Sequence, residues 1–336
     1  MEVNEKQVLG NEEGIKTTVV IPNYNGINYI EDCMESLLKS DVPLRIIVVD
    51  NKSGDGSREL LAEKYGDLQQ VELIFLEENT GFCHAVNVGI QAAKTEYVFL
   101  LNNDTVVEKD CVSELEKQML RSQDIFSVGS KMINMRNPDK IDDAGDLYCA
   151  LGWAFARGKD KERNAYGKED RIFAACAGAA LYRRSIFEAI GLFDEAHFAY
   201  LEDIDIGYRA NIHGYLNVFA PKAIVYHAGS AVSGSRHNEF KVDLSARNGI
   251  YLIYKNMPFL QILLNLPFLL AGYLIKWFFF ALKGLGGVYR KGIGKGFALA
   301  FSAKGRAAKQ RFKAGNFSNY LWIQWQLWIN TLRRFF

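Results

Sequence analysis

The stretch LRIIVVDNKSGDGS, residues 44–57, decides the fold class of this chain. An apolar run rich in β-branched residues ends in an acid, Asp50, and a polar turn containing two glycines follows. This pattern predicts a buried strand over 44–49 and a short helix from 57 to 65. A buried strand that ends on an acid raises the question of what that acid binds.

The same alternation of strand and helix continues along the first hundred residues. Strands are predicted at 17–22, 71–76 and 97–101, and helices at 27–39 and 82–93. This spacing predicts βαβ units and a doubly wound, mostly parallel, Rossmann-like α/β sheet. Later elements are predicted more loosely: strands at 125–133 and 178–184, a helix at 201–214, and a closing strand pair, YLNVF and AIVYH.

Polar residues follow three of the predicted strands. Residues 22–25 end the first, Asp50 the second and 102–104 the fourth. Each could be only a turn or a cap, but in a parallel sheet the strand ends meet at the edge where ligands bind. One carboxylate among amide oxygens suits Mg²⁺ or Mn²⁺, ions that also bind substrate phosphates. A P-loop motif is missing and no GxGxxG follows the first strand, which disfavours P-loop NTPases and dinucleotide oxidoreductases.

The charge is divided unevenly along the 336 residues. The net charge is +1, yet residues 1–243 hold all 39 acids, and residues 244–336 hold 14 of the 40 Lys and Arg residues. This boundary predicts an N-terminal tail (1–15), a globular α/β domain (16–243) and a separate basic region (244–336). The five scattered cysteines indicate free thiols in a reducing compartment, and the acidic start is not a secretory signal.

Five motifs carry a resemblance to a known family. VVIPNYNG, VVDNKSGDGS, NTGFCHAVNVGI, LLNNDT and FAYLEDIDIGYRA occur in this order. Together they resemble the inverting family 2 glycosyltransferases with the GT-A fold, most closely the rhamnosyltransferase-like branch of bacterial surface polysaccharide synthesis. The resemblance covers about residues 16–256. It implies a UDP- or dTDP-sugar donor, a Mg²⁺ or Mn²⁺ cofactor and a lipid-linked or glycan acceptor, with rhamnose as the first candidate sugar.

The resemblance implies a donor site at the strand ends. Tyr24, two residues after Pro22, is similar to the residue that packs on the nucleotide base, although a core tyrosine is the alternative. Asp50 is similar to the acid that accepts a hydrogen bond from the base imide, which favours uracil or thymine. The loop and helix that close over the nucleotide correspond to Asn79, Gly81 and Asn87, and a plain N-cap is the alternative for Asn79.

The resemblance also implies a metal site. Asn102-Asn103-Asp104 matches the metal-binding DxD motif of the family, but only its last acid is present. His227 is similar to a histidine that completes metal binding in some members, and His237 is a weaker candidate. A structural role at a strand end is the alternative for His227.

Glu202-Asp203 matches the ED pair of the family. Asp203 is expected to take the proton from the acceptor hydroxyl, with the metal offsetting charge on the departing diphosphate. Glu202 and Asp205 are expected to cap, orient or contact the acceptor; the alternative is that the acids only favour the helix N-terminus. Trp153 could stack on an acceptor sugar or pack in the core, and Arg247 could approach a diphosphate or lipid phosphate.

Residues 258–282 form an apolar run long enough to span a bilayer. A single span would place the following cationic residues outside if the α/β domain faces the cytoplasm, against the positive-inside tendency. Helices lying in the plane of an anionic leaflet, or re-entrant helices, are therefore favoured, with a buried interface in a homo-oligomer as a third interpretation. Trp322, Trp325 and Trp328 are predicted on one membrane-facing side of the last helix.

Three function classes remain open at this point. The favoured one is a glycosyltransferase peripheral to the cytoplasmic face of the cell membrane. A polyprenyl-phosphate glycosyltransferase is the alternative with the same fold, distinguished by a lipid monophosphosugar product. A non-catalytic nucleotide-sugar-binding membrane scaffold would bind without turnover. Binding of nucleic acid by the basic, aromatic tail is disfavoured, because the apolar run beside it fits lipid better.

Overall fold

The computed structural model describes residues 14–229 and 238–335, and a mixed sheet forms its centre. The strands are β1 (Thr17–Asn23), β2 (Leu44–Asp50), β3 (Val71–Phe75), β4 (Tyr97–Leu101), β5 (Thr105–Val107), β6 (Ile125–Asn134), β7 (Ile141–Asp143), β8 (Asp146–Tyr148), β9 (Ala154–Ala156), β10 (Asp170–Ile172), β11 (Ala179–Arg183) and β12 (Leu216–His227). The main sheet has the order β10-β12-β6-β11-β4-β1-β2-β3. Short strands β5 and β7 add to its rim, and β8 pairs with β9 separately.

The pairing directions confirm a mostly parallel α/β architecture. Strands β4, β1, β2 and β3 run parallel to one another, as do β6 and β12. The inserted strand β11 is antiparallel to both of its neighbours. The predicted parallel unit is therefore confirmed for the first hundred residues, and the later half of the sheet is mixed.

Helices cover both faces of the sheet. They are α1 (Ile30–Leu37), α2 (Ser57–Tyr65), α3 (Phe82–Ala92), α4 (Cys111–Met119), α5 (Ile186–Ile190), α6 (Glu202–Ile212), α7 (Glu239–Asn256), α8 (Phe259–Leu282), α9 (Gly286–Phe301), α10 (Ala303–Ala308) and α11 (Phe317–Arg333). Val19 and Val20 show how the strands divide the core, because successive side chains of a strand point to opposite faces. Val19 packs with α1 and α4, and Val20 packs with α3 and α5.

One predicted connection is wrong. YLNVF and AIVYH were expected to form two strands, but they form the single strand β12. Its pairing with β6 shifts register between Ala220 and Ile224, around Pro221. Proline lacks the N–H that a regular ladder needs, so a bulge absorbs it and the strand continues.

The basic region is helical throughout most of its length. The predicted boundary after Asp243 falls inside α7, which packs on both α6 and α9. Among the described residues, α8 is the one helix long and apolar enough to cross a membrane, with a mean hydropathy of 1.7 in its most apolar window. The predicted division at 243 therefore separates charge along the sequence but does not coincide with a break in structure.

Helix α8 lies along the α/β domain instead of projecting from it. Its buried residues form one stripe, Gln261, Asn265, Leu269 and Gly272. Tyr208 of α6 donates to Gln261 Oε1 at 2.7 Å. Near the middle of the helix, a Cβ added to Gly272 would lie 2.2 Å from the backbone oxygen of Leu151, so the two backbones touch there. The opposite side of α8 consists of exposed Leu, Ile, Phe and Trp side chains.

The last helix exposes only part of its predicted aromatic face. Trp325 and Trp328 are exposed, in line with Leu321 and Leu332. Trp322 instead packs on the α/β domain, where the guanidinium of Arg171 lies 3.4 Å from its ring centroid. Residues three apart are offset by about 60° around a helix of 3.6 residues per turn, so the two steps from Trp322 to Trp328 turn the side chain by about 120° and leave one narrow face.

Candidate active site

The carboxylate of Asp50 is fully buried at the end of β2 and has three partners. The register places Asn23 of β1 beside it. Asn23 Nδ2 donates to Asp50 Oδ2 at 2.8 Å, and the backbone N–H of Ser53 donates to Oδ1 at 3.0 Å. Arg58 Nε lies 3.4 Å from Oδ1. These partners offset the cost of burying the charge, and a carboxylate with this arrangement can accept one further hydrogen bond.

Tyr24 lies at the surface, directly after Asn23, the residue that pairs with Asp50. Its side chain is 39% exposed, directly after β1, whereas Pro22 is part of that strand opposite Val49. The chain turns at Asn25, whose backbone N–H donates to Ser53 Oγ at 2.9 Å. The ring is therefore outside the core and accessible to a flat partner.

Asn51 connects the end of β2 to the loop that contains two predicted donor residues. Its Nδ2 lies 3.1 Å from both Asn79 Oδ1 and the Gly81 carbonyl, and its Oδ1 accepts from the Thr80 backbone at 2.9 Å. Gly81 has a left-handed φ of +85°, and a Cβ there would lie 2.5 Å from the ring of Phe198. Asn51 lies outside the predicted site, and its position next to Asp50 was the signal for it.

Asn87 has a supporting role in the structure. Its Nδ2 donates to the Phe193 carbonyl at 2.8 Å and to Glu195 Oε1 at 3.1 Å, and its Oδ1 accepts from Phe193 N–H. These contacts fix the segment that leads to α6. The described partners of Asn87 are thus protein groups of the segment that leads to α6.

The end of β4 joins the end of β1. Asn103 Nδ2 donates to Asn23 Oδ1 at 2.7 Å, so one asparagine connects Asn103 with Asp50. Asn102 is tied by its backbone N–H to the Gly178 carbonyl at 2.9 Å. The three predicted strand ends are therefore brought together at one edge of the sheet.

Asp104 and His227 form a pair that could hold a metal ion. Strand β12 pairs with β5 so that His227 lies opposite Thr105. His227 Nε2 is 3.3 Å from Asp104 Oδ1, and His227 Nδ1 is 2.7 Å from Asp142 Oδ2. Burial alone would lower the pKa of His227, but the two carboxylates outweigh it and raise the pKa to about 9. His237, the weaker candidate, lies outside the described residues.

The donor set fits a divalent cation. One carboxylate and one imidazole nitrogen approach each other, and a second carboxylate orients the other ring nitrogen, as is usual around histidine ligands. Asp142, the orienting residue, also forms an ion pair with Lys159. Burial favours the neutral acid, yet His227 and Lys159 lower the pKa of Asp142 to about 2.

Glu202 and Asp203 begin α6; Glu202 is buried and Asp203 is partly buried. Asp203 Oδ1 accepts from the Ile204 backbone N–H at 2.6 Å. Burial raises the pKa of Asp203, and burial together with the charge of Asp203 raises the pKa of Glu202 to about 8. Within the described part of the chain, Glu202 Oε2 is buried without a hydrogen-bond partner.

A second group of acids faces Asp203. Asp146 is within hydrogen-bonding contact of Asp203, and one ligand atom each of Asp143, Asp146 and Cys176 lies within 4.8 Å of the others. Burial and neighbouring carboxylates raise the pKa of Asp143 to about 7 and that of Asp146 well above its ordinary range. These acids lie outside the predicted site; the signal was IDDAGD, with three acids in six residues.

Asp205 is surrounded by cations and amides of the protein. Arg209 Nε donates to it at 3.0 Å, Lys255 Nζ at 2.8 Å and Asn256 Nδ2 at 2.8 Å. Lys255 and Arg209 hold the pKa of Asp205 far below its usual range, although burial opposes them. The carboxylate joins α6 to α7, and the structure does not bring it together with Asp203.

Two other predicted acceptor residues also contact the protein. Trp153 Nε1 donates to the Gly272 carbonyl at 3.1 Å, and Lys276 Nζ lies 5.5 Å from the centre of its ring. Trp153 therefore packs on α8. The guanidinium of Arg247 donates to the backbone carbonyls of Ala196 and His197, in the segment before α6, so its described partners are protein groups.

Comparisons with known proteins show which family the chain resembles. Residues 18–191 match the model of glycosyl transferase family 2. The chain is 36% identical over 103 residues to a putative teichuronic acid biosynthesis glycosyltransferase, TuaG, of Bacillus subtilis, a match covering 30% of this chain and 40% of TuaG. It is 27% identical to an N-acetylglucosaminyl-diphospho-decaprenol L-rhamnosyltransferase of Mycobacterium tuberculosis, over 62% of this chain and 75% of the relative.

The fold has a counterpart among solved structures. GalNAc-T7, solved with UDP, GalNAc and Mn²⁺, superposes with a TM-score of 0.58 at 19% identity, over 72% of this chain and 48% of that one. The likeness shows the fold alone. The match to TuaG spans less than half of that relative's length. Since the family model covers more than half of the residues of this chain, the predicted family is confirmed: the chain belongs to glycosyl transferase family 2.

Proposed function

We propose that this chain is a metal-dependent inverting glycosyltransferase. It moves a sugar from a UDP- or dTDP-sugar to a hydroxyl of a lipid-linked or polysaccharide acceptor. The observation that carries the proposal is the convergence of strand ends at one edge of the sheet. Asp50 is joined through Asn23 to Asn103, the residue before Asp104, and Asp104 faces His227. His227 in turn contacts Asp142, whose chain neighbour Asp143 belongs to the group of acids that faces Asp203.

Asp203 acts as the general base in this mechanism. The acceptor hydroxyl attacks the anomeric carbon as the bond from that carbon to the diphosphate breaks, and its proton passes to the Asp203 carboxylate. A base works best when its pKa is near the working pH, and burial raises the pKa of Asp203 in that direction. Glu202, buried beside it at the start of α6, would orient the acceptor.

Asp104 and His227 would hold the divalent cation, and Asp142 would keep the ring of His227 oriented. When bound, Mg²⁺ or Mn²⁺ would offset negative charge on the diphosphate of the donor. The Mn²⁺ and UDP in the GalNAc-T7 structure support this choice of ion and nucleotide. Asp50 and Tyr24 then supply the contacts for a pyrimidine base: one further hydrogen-bond acceptor and an exposed ring.

Rhamnose is the first candidate for the sugar. Support for it comes from the Mycobacterium tuberculosis relative, whose name specifies a rhamnosyltransferase acting on a decaprenol-linked acceptor. The same relative supports a lipid-linked acceptor. A direct assay over several sugars is needed, because none of the contacts described above reads the sugar ring.

The test is a mass-spectrometric panel of UDP-, dTDP-, GDP- and CMP-sugars with Mn²⁺ or Mg²⁺, with and without a membrane extract as acceptor. Nucleotide release is followed for the wild type, Asp104→Ala and Asp203→Asn. Asp67→Asn, at an exposed position in a surface loop, is the matched control. We expect the wild type to release the nucleotide from one uridine or thymidine donor. This release should be lost in both site variants and kept in the control.

Other outcomes would change the proposal in specific ways. A lipid monophosphosugar as the product would identify a polyprenyl-phosphate glycosyltransferase. Donor binding without turnover, even with the membrane extract, would indicate a binding protein. Failure to bind any pyrimidine donor would refute the role given to Asp50.

We further propose that α8, α9 and α11 dock in the plane of an anionic membrane surface, at its cytoplasmic face. The exposed side of α8 is apolar, and α11 adds exposed Trp325 and Trp328. The sequence has no acid after Asp243, so the cations around this surface are not opposed by acids of the same region. Contacts of α8 with the α/β domain along much of its length favour this arrangement over a single span.

Vesicle flotation tests the docking surface. The wild type is expected to float with vesicles that contain phosphatidylglycerol and to bind neutral phosphatidylcholine vesicles less. The variant Leu321→Ala/Trp325→Ala should bind less, whereas Leu120→Ala, an exposed leucine on the α/β domain, should bind like the wild type. Equal flotation of all three proteins would contradict this placement of the surface.

A further inference from the structure

The segment before α6 has an unusual backbone. Phe198, Tyr200 and Leu201 all have positive φ, at 63°, 71° and 67°. Phe198 combines this φ with a ψ of −61°, and Ala199 N–H donates to the His197 carbonyl at 2.7 Å, which defines a strained γ-turn. Side chains disfavour each of these conformations, so the surroundings must hold them in place.

Asn248 of α7 holds most of this segment. It is fully buried, and its Nδ2 donates to three backbone carbonyls: His197 at 3.0 Å, Ala199 at 2.8 Å and Tyr200 at 2.8 Å. The amide has two N–H bonds for three acceptors, so one of them is shared. A side chain bound to three of four successive carbonyls fixes the local path of the chain.

Arg247, the preceding residue, completes the contact. Its Nη2 donates to the carbonyls of Ala196 at 2.9 Å and His197 at 2.7 Å. Its Nε donates to Asn248 Oδ1 at 2.9 Å, which orients that amide with its Nδ2 toward the carbonyls. The two residues therefore act as one unit, called here the α7 clamp (Arg247 and Asn248).

The clamped segment touches both halves of the proposed active site. Leu201 is the last residue before α6, so the path of the segment sets the position of Asp203 in the first turn of that helix. On the donor side, Phe198 packs against Gly81, and the Phe198 carbonyl accepts from Cys83 N–H at 3.2 Å. A shift of the segment would therefore move the base relative to the loop that closes over the donor.

We infer that the α7 clamp positions the proposed catalytic base. Arg247 and Asn248 hold the strained segment 198–201 so that Asp203 meets the acceptor hydroxyl while Phe198 supports the donor loop. They are positioning residues that act through the backbone and not ligands of a phosphate. Both lie outside the part of the chain that matches the family model. This inference rests on the proposed function, since it assigns the clamp to the base of that reaction.

The test compares Asn248→Ala and Arg247→Lys with Asn265→Ala. Asn265 is a matched control: it is a fully buried asparagine of α8 whose partners are Gln261 and Gln324. Asn248→Ala is expected to lower kcat on the order of 100-fold, the effect that misplacing a reacting group by about 1 Å can have. The donor KM should rise by a smaller factor, because the same segment supports the donor loop through Phe198. Arg247→Lys keeps the positive charge but loses the planar guanidinium with its several N–H donors, and it should have a smaller effect. Asn265→Ala should keep the wild-type kcat at a temperature where all variants are folded.

A double-mutant cycle separates positioning from general loss of structure. If Asn248 acts through Asp203, Asn248→Ala should cause little further loss in an Asp203→Asn background. Full additivity of the two losses, or a wild-type kcat in Asn248→Ala, would overturn the inference.

Hydrogen exchange provides a readout that does not depend on activity. Peptides covering 196–205 should exchange faster in Asn248→Ala and, to a lesser degree, in Arg247→Lys, but not in Asn265→Ala. Unchanged exchange would overturn the clamp itself. If the wild type transfers no sugar to any acceptor, the proposed function fails, while the exchange data still decide whether the clamp holds the segment. Arg247→Lys keeps the test valid if Asn248→Ala does not fold.

Discussion

Replacing Glu202 with glutamine is expected to stabilise the protein increasingly as the pH rises, while weakening sugar transfer. Glu202 is buried at the start of α6 beside Asp203, and in the described part of the chain its Oε2 has no hydrogen-bond partner. Ionising it therefore places a second negative charge in a dry pocket. Glutamine has nearly the same size and cannot ionise, so it removes this cost.

The sign and size follow from the pKa of Glu202, which is raised from its ordinary value of 4.5 to about 8. Below pH 4.5 the group is protonated in both the folded and unfolded states and makes no difference. Above it, the unfolded chain releases the proton first, so the folded state loses about 1.4 kcal/mol per pH unit until the pH reaches the folded pKa. Between pH 5 and pH 8 the accumulated loss is about 3 kcal/mol.

Urea unfolding at pH 5 and at pH 8 measures this directly. The difference in free energy of unfolding between Glu202→Gln and the wild type should grow by about 3 kcal/mol from the lower to the higher pH. Because the same two proteins are compared at both pH values, any pH-independent cost of burying the glutamine amide cancels. Glu63→Gln, at an exposed position on α2, should show no such growth. A difference that stays constant with pH would refute the account of this pocket.

Three further predictions concern the metal pair, the strand ends and α8. Asp142→Ala removes the hydrogen bond that orients His227 and should weaken binding of Mn²⁺ alone by about 10–100-fold in calorimetry; unchanged affinity would contradict the pairing. Asn23→Ala removes a donor from a buried carboxylate and should lower the free energy of unfolding by about 2–3 kcal/mol in urea titrations. Gly272→Ala should cost about 1–3 kcal/mol by thermal unfolding, because the added methyl meets a backbone oxygen. Gly287→Ala, with open space around it, is its control and should not be destabilised.

Local sequence patterns were sufficient for the strands that build the site. The fourth strand was predicted with its observed bounds, and the first two within one residue, because apolar runs ended by polar residues mark buried strands clearly. The parallel order then required Asn23, Asp50 and Asn103 to share one edge of the sheet. The family resemblance assigned functional roles to these residues. That they lie close together follows from the order of the parallel strands that carry them.

Contacts between residues far apart in the chain could not be predicted. Asp142 reaches His227 across 85 positions, and Arg247 reaches Ala196 across 51. No periodicity in the sequence encodes such pairs. The predicted acceptor roles of Trp153, Asp205 and Arg247 came from residue type and order alone. The structure instead gives each of them protein partners that a single sequence does not reveal.

The two neighbouring aspartates of β7 show why residue type alone does not determine chemistry. Asp142 and Asp143 are identical in sequence terms, but successive side chains of a strand point to opposite sides. Asp142 meets His227 and Lys159, which lower its pKa to about 2 against the effect of burial, so it is ionised at neutral pH. Asp143 meets other carboxyl groups in a buried pocket, and its pKa rises to about 7, so it holds a proton for much of the time. A three-residue strand thereby separates an ionised carboxylate that orients the candidate metal ligand His227 from a pocket of acids that hold protons near neutral pH, as the proposed reaction requires.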